Sequence, residues 1–344
     1  MENLTQAERG VLYSLREFTR FRKEFSVQIA AAYYRILLNR NIAANNWLGY
    51  QNFKANVERV RVFVGEGRQT QSELGQLEQA ELSSESGWIN AVRNYQQALD
   101  DFKVVQLGLP ASASLVLDET ELEQMQLEHP DMSIEEAVKV ALATRLDLYT
   151  VSDRVEDAFR RVKVASNGLL PGLDVILSGG LESEPNRPLT FDFDRADWNV
   201  GVDLDLPFDR KAERNAYRAS LISYDRAVRE KELAEDLIKL EITESKRNLD
   251  QAKRQFEINE LGVTLSQNRV EEEQLRLEIG LGLVRDLVDA QTDLINALNQ
   301  RASTLVNHTV GRFNFWLDMG ILTIEENGKW KKVRNDESED NKNT

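Results

Sequence analysis

The sequence predicts a mainly α-helical protein built from long antiparallel helical hairpins, with one β-hairpin inserted between them. Three observations lead to this fold class. Long stretches without proline carry apolar residues at helical spacing, glycine clusters interrupt these stretches, and one central segment changes to alternating apolar and polar residues. Charged residues make up 29% of the 344, against only 18 glycines and 6 prolines, a composition typical of long helices.

Composition also excludes several functions. The chain has no cysteine, which rules out disulfides, thiolate metal sites and a cysteine nucleophile. A formal charge of −15 disfavours nucleic acid, whose binding depends on basic residues. The sequence has no run of 18 apolar residues, so we expect no membrane-spanning helix. Charges interrupt residues 1–25, so we also expect no export signal in this chain.

Residues 1–108 predict a first long helical hairpin. Apolar residues recur at helical spacing over 5–64, and the glycines of 65–67 interrupt the pattern. A second helical stretch covers 71–105 and stops at the Gly-Leu-Pro sequence of 108–110. Because short loops make neighbouring helices antiparallel, this segment is expected to fold back on itself.

Residues 109–133 predict a connector. Residues 134–171 predict a segment leading into the β-hairpin, with one helix over 134–167. The connector is mixed in character, with two prolines and an acidic run. Ser133 and Glu136 resemble a capping box, in which the serine accepts from the amide three residues on and the glutamate reaches back. The helix is therefore expected to begin directly after Ser133.

Residues 172–206 predict a β-hairpin with one apolar and one polar face. Two runs of about ten residues alternate, joined by a linker at 183–197 that is rich in proline and acids. In the second run, an apolar set alternates with a polar set along the strand. The apolar set is Trp198, Val200, Val202 and Leu204, and the polar set is Asn199, Asp203 and Asp205. An ordinary hairpin on a soluble core would show the same alternation. The flanking segments, however, are predicted to be long helices that form no layer to cover a sheet. Two strands without such a cover are unstable.

Residues 207–320 predict a second long helical hairpin. Its first helix covers 211–261, and Gly262 is a soft spot, meaning a point where the helix is predicted to weaken. Gly280 and Gly282 mark the tip, and a last helix covers about 284–317. The two hairpins form an internal repeat, since Gln79 precedes Gly108 by the same interval as Gln291 precedes Gly320. Residues 321–344 form a C-terminal segment that ends in an acidic tail, expected to be disordered.

Four short motifs, in this order and spacing, resemble the TolC family of outer-membrane efflux proteins. They are Arg145-Leu-Asp-Leu148, Leu169-Leu-Pro171, Leu206-Pro-Phe-Asp209, and Gly280 through Asp286-Leu-Val-Asp289-Ala-Gln291. The first departs from the family in having Leu146 where proline is usual. The resemblance implies a periplasmic helical tunnel and strands that join a trimeric outer-membrane β-barrel. Met1 falls where the helix after the first strand pair should begin, which implies an N-terminally truncated member.

The implied function is a passive export conduit across the periplasm and outer membrane, in a tripartite efflux or type I secretion system. The implied partners are two further copies of the chain, a periplasmic adaptor protein, an inner-membrane pump and outer-membrane lipid. Neither an enzymatic activity nor a cofactor is implied, and the sequence contains no P-loop, G-x-S-x-G or H-E-x-x-H motif. The alternative function is a soluble coiled-coil scaffold whose hairpin contacts a partner.

The resemblance assigns roles to the helix tips. Asp286 and Asp289 share a helical face, which alone predicts a solvated surface, but at matching positions the family places the carboxylates of its pore constriction. The family also has an arginine two residues after the tip glycine, where this chain has Gly282. Residues at both tips are candidates for adaptor docking or for simple turns: Val64, Gly65, Ile279, Gly280 and Leu281.

The alternating strand and the histidines complete the candidate residues. Asn199, Asp203 and Asp205 are expected to line a lumen, and the apolar set Trp198, Val200, Val202 and Leu204 to face lipid. Aspartate pairs can bind calcium, but we expect lumen lining and no metal site here. His129 and His308 are interpreted as separate surface or packing residues, not as a pair.

Overall fold

A computed structural model describes residues 2–117, 122, 125–184, 187–205 and 209–323. Its elements are helices α1 (Glu2–Gly65), α2 (Gln71–Asp101), α3 (Ile134–Thr144) and α4 (Leu146–Asn167), strands β1 (Gly172–Glu184) and β2 (Arg187–Asp205), and helices α5 (Lys211–Glu278) and α6 (Val284–Asp318). Two compact units divide the chain: Met1–Tyr13 with Asp147–Asp236, and Ser14–Leu146 with Leu237–Thr344. The predicted fold class is confirmed.

Helices α1 and α5 are long and uninterrupted, with 64 and 68 residues. The soft spot predicted at Gly262 was wrong, because α5 continues through it to Glu278. One glycine costs a helix only about 1 kcal/mol, and buried Phe256 and Val263 hold the helix on both sides of it. None of the described helices contains an apolar stretch of the length that a bilayer crossing requires.

The helix predicted over 134–167 is in fact two helices that meet at Arg145. The capping box is confirmed, with Ser133 Oγ accepting from the Glu136 amide at 3.2 Å. Arg145, however, has an extended backbone, and its guanidinium binds Glu241 Oε2 at 2.5 Å and the Asp318 carbonyl at 3.2 Å. Leu146 is the first residue of α4, a position that favours proline in general. The motif at 145–148 therefore marks a helix start.

The internal repeat is visible in the backbone. Four glycines have positive φ angles and mark equivalent places: Gly67, Gly108, Gly280 and Gly320. The first pair is separated by 41 residues and the second by 40, from the numbers of these glycines. Counted from the tip glycines, α2 and α6 both begin four residues on, whereas Gln79 and Gln291 lie 12 and 11 residues on and are therefore not equivalent in this register. A π-helical turn at Phe102–Gln106 extends α2, and its wider spacing takes up the one additional residue. The two repeats therefore end alike despite their different lengths.

In the second unit, both helix tips share one hydrophobic core, which we call the tip core. It consists of Phe53, Val57 and Val60 from α1, Leu74 and Leu77 from α2, Leu277 from α5, and Val284 and Leu287 from α6. Val64 and Ile295 pack against it. The two tips are therefore stabilised together, as the short loops of the sequence led us to expect for each hairpin alone.

In the first unit, the first turns of α1 are tied to α4 by polar contacts. Arg9 forms ion pairs with Asp153 at 2.9 Å and Glu156 at 3.0 Å. The Tyr13 hydroxyl donates to Asp157 at 2.6 Å. These contacts fix the helix that leads directly into β1.

Candidate functional site

The register of β1 and β2 places apolar and polar residues on opposite faces of the hairpin. Apolar pairs are Leu173 with Leu204, Val175 with Val202, and Leu177 with Val200, and polar pairs are Asp174 with Asp203 and Ser178 with Asn199. Side chains on one face of a strand recur every second residue, so each set shares a face. The predicted division into two faces is confirmed.

Among the residues that the structure describes, no layer covers the apolar face. Val202 is 67% exposed, Trp198 is 82% exposed, and Leu173 and Leu177 are exposed as well. The Trp198 ring lies over Gly179, where an added Cβ would meet it at 3.4 Å. A two-stranded sheet with a bare apolar face is unstable in water by itself, so this face requires an apolar partner.

The hairpin is longer than predicted, and the linker at 183–197 was wrong. β1 extends to Glu184 and β2 begins at Arg187, so most of those residues belong to strands. Pairing is irregular there: Leu181 opposes Ala196 while Ser183 opposes Phe191, which leaves extra residues bulged from β2. The side chain of Asp205, like residues 206–208 of the predicted exit motif, lies outside the described residues.

At the tips, an arginine that sequence reasoning missed connects the two turns. The Arg68 guanidinium donates to the Glu278 carbonyl at the end of α5 and lies 4.4 Å from the centre of the Phe63 ring. Arg59 is 3.6 Å from the Glu278 carboxylate. The sequence holds no signal for this contact, because it joins residues 210 apart.

The predicted docking residues at the tips differ in exposure. Ile279 and Leu281 are exposed, the latter at 79%, and Gly65 and Gly280 are also exposed. Val64 is half-buried against the tip core, so packing explains it better than docking. The apolar surface available at the tips therefore comes mainly from the second turn.

Asp286 and Asp289 lie near the start of α6, on its side away from the tip core. Leu287 and Ala290 are fully buried, whereas Asp289 is exposed and Asp286 partly exposed. Arg285 Nε lies 3.8 Å from the Asp289 carboxylate. The two aspartates thus form an acidic face in solvent within the single chain.

Gln291, from the same motif, lies on the opposite side of α6. It is 3% exposed, and neither its amide oxygen nor its amide nitrogen has a hydrogen-bond partner in the part of the chain that the structure describes. An unpaired buried amide costs about 1–3 kcal/mol, so Gln291 lowers the stability of the single chain.

The structure explains why Gly282 replaces the arginine implied by the resemblance. A Cβ at this position would lie 2.7 Å from the Leu277 nitrogen and 2.9 Å from the Arg276 carbonyl carbon. The Gly282 amide itself donates to the Arg276 carbonyl at 2.9 Å. The turn after α5 therefore folds too tightly against its own backbone to accept a side chain here.

The interpretation of His129 and His308 as separate residues was wrong. His129 Nδ1 lies 3.1 Å from His308 Nε2, and His129 Nε2 lies 3.2 Å from Lys246 Nζ and 3.0 Å from Asp250 Oδ1. His308 is 1% exposed. Burial, the neighbouring His129 and Arg312 lower the pKa of His308 to about 4, and burial with Lys246 lowers that of His129.

Comparisons with known proteins agree with this architecture. The family model described as outer membrane efflux protein matches residues 137–307. The outer-membrane channel OprN has a TM-score of 0.76 at 15% identity, over 93% of this chain and 71% of that chain. VceC from Vibrio cholerae has a TM-score of 0.72 at 18% identity, over 91% and 74% respectively.

A third solved structure, the CmeC outer membrane channel of Campylobacter jejuni, has a TM-score of 0.72 at 15% identity, over 97% of this chain and 69% of that chain. No curated protein matches the chain significantly. At these identities the solved structures show the fold alone. The family relationship rests on residues 137–307 of this chain, which match the outer membrane efflux protein family.

Proposed function

We propose that the chain is the outer-membrane channel component of a tripartite efflux or type I secretion system. The observation that carries this proposal is the apolar hairpin face, which stays exposed in a chain of this family. Lipid is a suitable cover, because a membrane strand sets apolar residues toward lipid and polar residues toward a lumen. Val200, Val202 and Leu204 would then contact lipid, and Asn199 and Asp203 would contact water.

A homotrimer is the proposed assembly. The described hairpin has two open edges, and unpaired backbone groups cannot face hydrocarbon. Joining hairpins from several copies into a closed barrel satisfies those edges. The helices on either side would then form the conduit for solutes, with energy supplied by an inner-membrane pump.

The exposed second turn is the proposed docking site for a periplasmic adaptor. Ile279 and Leu281 present apolar side chains to solvent, and the tip core together with Arg68 fixes the turn that carries them. A rigid apolar turn suits a protein partner, because little conformational freedom is lost on binding.

Asp286 and Asp289 are the proposed acidic constriction of the conduit. In a trimer they contribute six carboxylates, and acidic rings favour cations in a pore. We expect the trimer in planar bilayers to be cation-selective and to be blocked by multivalent cations from the tip side. Replacing both residues by alanine should weaken both properties.

Charge-matched controls make this conductance test specific. Glu257→Ala with Glu271→Ala removes the same charge from exposed positions on α5 and should leave block and selectivity unchanged. If cation block is unchanged in the aspartate variant, Asp286 and Asp289 belong to an ordinary solvated helix surface and not to a constriction. A protein that is soluble in buffer without detergent and conducts no current in bilayers would contradict the proposed channel function.

The two hairpin faces should respond differently to arginine. Val202→Arg should lower the stability of the membrane-inserted protein by about 2–4 kcal/mol if the site lies near the bilayer midplane. Asp203→Arg, one residue along, should cost much less because that face meets water. Heat resistance of the trimer in gel electrophoresis measures both. Similar losses at the two positions would mean that the hairpin does not separate lipid from water.

The soluble coiled-coil scaffold is not favoured. It requires a partner layer over the apolar face, and the family match and the fold are both those of outer-membrane channels. Family and fold are also those of channels and not of enzymes, which agrees with a transport role.

A further inference from the structure

The internal repeat extends from the turns into the buried residues of the long helices. The tip glycines Gly67 and Gly280 are 213 residues apart, from their numbers. At this same separation, buried residues of the first hairpin match buried residues of the second: Ile36 with Leu249, Ala43 with Phe256, Val57 with Val270, and Leu74 with Leu287. Each residue in this part of one hairpin therefore has a counterpart in the other, 213 positions away.

Inside the chain, α6 packs on α1 at a glycine. Gly49 is buried, and a Cβ added to it would lie 2.8 Å from Ile295 Cγ1 and nearer still to the end of that side chain. One turn along α6, Asn299 Oδ1 accepts from Asn45 Nδ2 at 2.9 Å, so the two helices run antiparallel here. The second hairpin is thus held on the first by an isoleucine seated on a glycine.

Leu82 and Gly262 are the counterparts of Ile295 and Gly49, and they make no such contact within the described part of the chain. The Leu82 side chain is 60% exposed. Apart from the local helical backbone, no described atom lies within 4 Å of a Cβ added to Gly262. Glycine costs a helix interior about 1 kcal/mol relative to alanine, so a glycine at this open position has no local advantage.

Exposed apolar side chains surround both counterparts. On α5, Ile258 lies one turn before Gly262 and is 61% exposed. On α2, Ile89 lies two turns after Leu82 on the same face and is exposed as well. When α2 is placed on α5 in the register that α6 has on α1, Ile258 fits between Leu82 and Ile89. The two faces therefore complement each other, although both are exposed in the single chain.

Building on the homotrimer proposed above, we propose that Leu82 of one copy packs on Gly262 of the next, as Ile295 packs on Gly49 within each copy. The partner of both faces is then a second copy of this chain, with α2 antiparallel to the neighbour's α5. Because the two surfaces differ, each copy presents one of them to each neighbour, and repeating the contact closes the ring. Hairpins of the two kinds alternate around this ring through one type of helix contact.

Cysteine pairs test this contact, because the chain has no native cysteine. In the trimer purified in detergent, Leu82→Cys with Gly262→Cys should form disulfides between copies, seen as dimers and trimers on a non-reducing gel. Gly49→Cys with Ile295→Cys should close at monomer size, because that contact lies within one copy. Trimers assembled from a mixture of the two single variants, Leu82→Cys and Gly262→Cys, should give covalent dimers and no covalent trimers, because each copy then has one thiol.

The matched control pairs Leu82→Cys with Leu261→Cys. Leu261 is exposed directly before Gly262 but lies about 100° away round α5, and its counterpart Leu48 also stays exposed beside the contact within the chain. Exposure alone therefore favours both pairs, whereas the proposed contact favours only one. The control pair should cross-link at least tenfold more slowly.

Adding bulk at Gly262 tests the contact without cysteine. Gly262→Leu should leave the circular dichroism of the chain unchanged, because the described space around this position is open. The same variant should weaken trimer assembly at least tenfold in analytical ultracentrifugation. Thr264→Leu adds bulk at an exposed position about 200° round the same helix and should leave assembly unchanged.

The outcomes separate this contact from the channel function. A trimer that conducts but cross-links equally fast in the test and control pairs, or that tolerates Gly262→Leu, would overturn the contact and leave the channel standing. Closure of Leu82→Cys with Gly262→Cys at monomer size would also overturn it, because both surfaces would then meet in one copy. A chain that forms neither a trimer nor a conducting pore would contradict the proposed channel function and the contact with it.

Discussion

Replacing Leu287 by alanine is expected to lower the free energy of unfolding by about 2–5 kcal/mol, the range for large-to-small changes in a packed core. Leu287 is 0% exposed and belongs to the tip core, in which residues from four helices meet. A cavity there has packed side chains on every side and cannot collapse easily. Chemical denaturation followed by circular dichroism measures the loss.

Leu281→Ala is the matched control for this prediction. It removes the same atoms from the neighbouring turn, where the side chain is 79% exposed, and should change stability by less than about 0.5 kcal/mol. If adaptor docking occurs at this turn, Leu281→Ala should weaken that binding while Leu287→Ala acts through stability. Equal losses of stability in the two variants would show that the tips are not packed as described.

Acidification from pH 6.5 to pH 4 is expected to destabilise the protein by about 3 kcal/mol through His308 alone. The pKa of His308 is about 4 in the folded protein and 6.5 in the unfolded chain. Within this window the unfolded chain binds a proton that the folded protein does not. Stability is therefore complete above pH 6.5 and falls as the pH decreases toward 4.

The contrast with His308→Gln isolates this effect from the titration of carboxylates. Glutamine retains a polar group near His129 but does not titrate, so the acid-dependent loss should be smaller by most of the 3 kcal/mol estimated above. Unfolding midpoints measured at half-unit pH intervals for both proteins give the difference. Parallel pH profiles would mean that His308 is solvated and not buried.

The sequence was informative wherever the structure depends on local pattern. The helix predicted over 5–64 is Glu2–Gly65, and the capping box at Ser133 starts α3. Alternation alone predicted the two faces of the hairpin, because side chains on a strand alternate by geometry. Those features follow from neighbouring residues and need no tertiary contact to be inferred.

Features that depend on distant residues were not predictable in the same way. The contact between His129 and His308 joins residues 179 apart, and His129 belongs to a connector without periodicity. Arg145 is neither glycine nor proline, and the break there is accompanied by contacts to Glu241 and Asp318. Proline and acids suggested a linker before β2, but strand pairing with β1 extends through most of it. In each case tertiary packing outweighed local preference.

The π-helical turn at Phe102–Gln106 has a consequence for how duplicated halves can diverge. An α-helix that gains one residue would normally rotate everything after the insertion by about 100° and turn its buried face toward solvent. The π turn takes up the additional residue locally, so the glycine that ends the first repeat keeps its counterpart in the second. One repeat can therefore contain one more residue than the other while its helix keeps the same face buried.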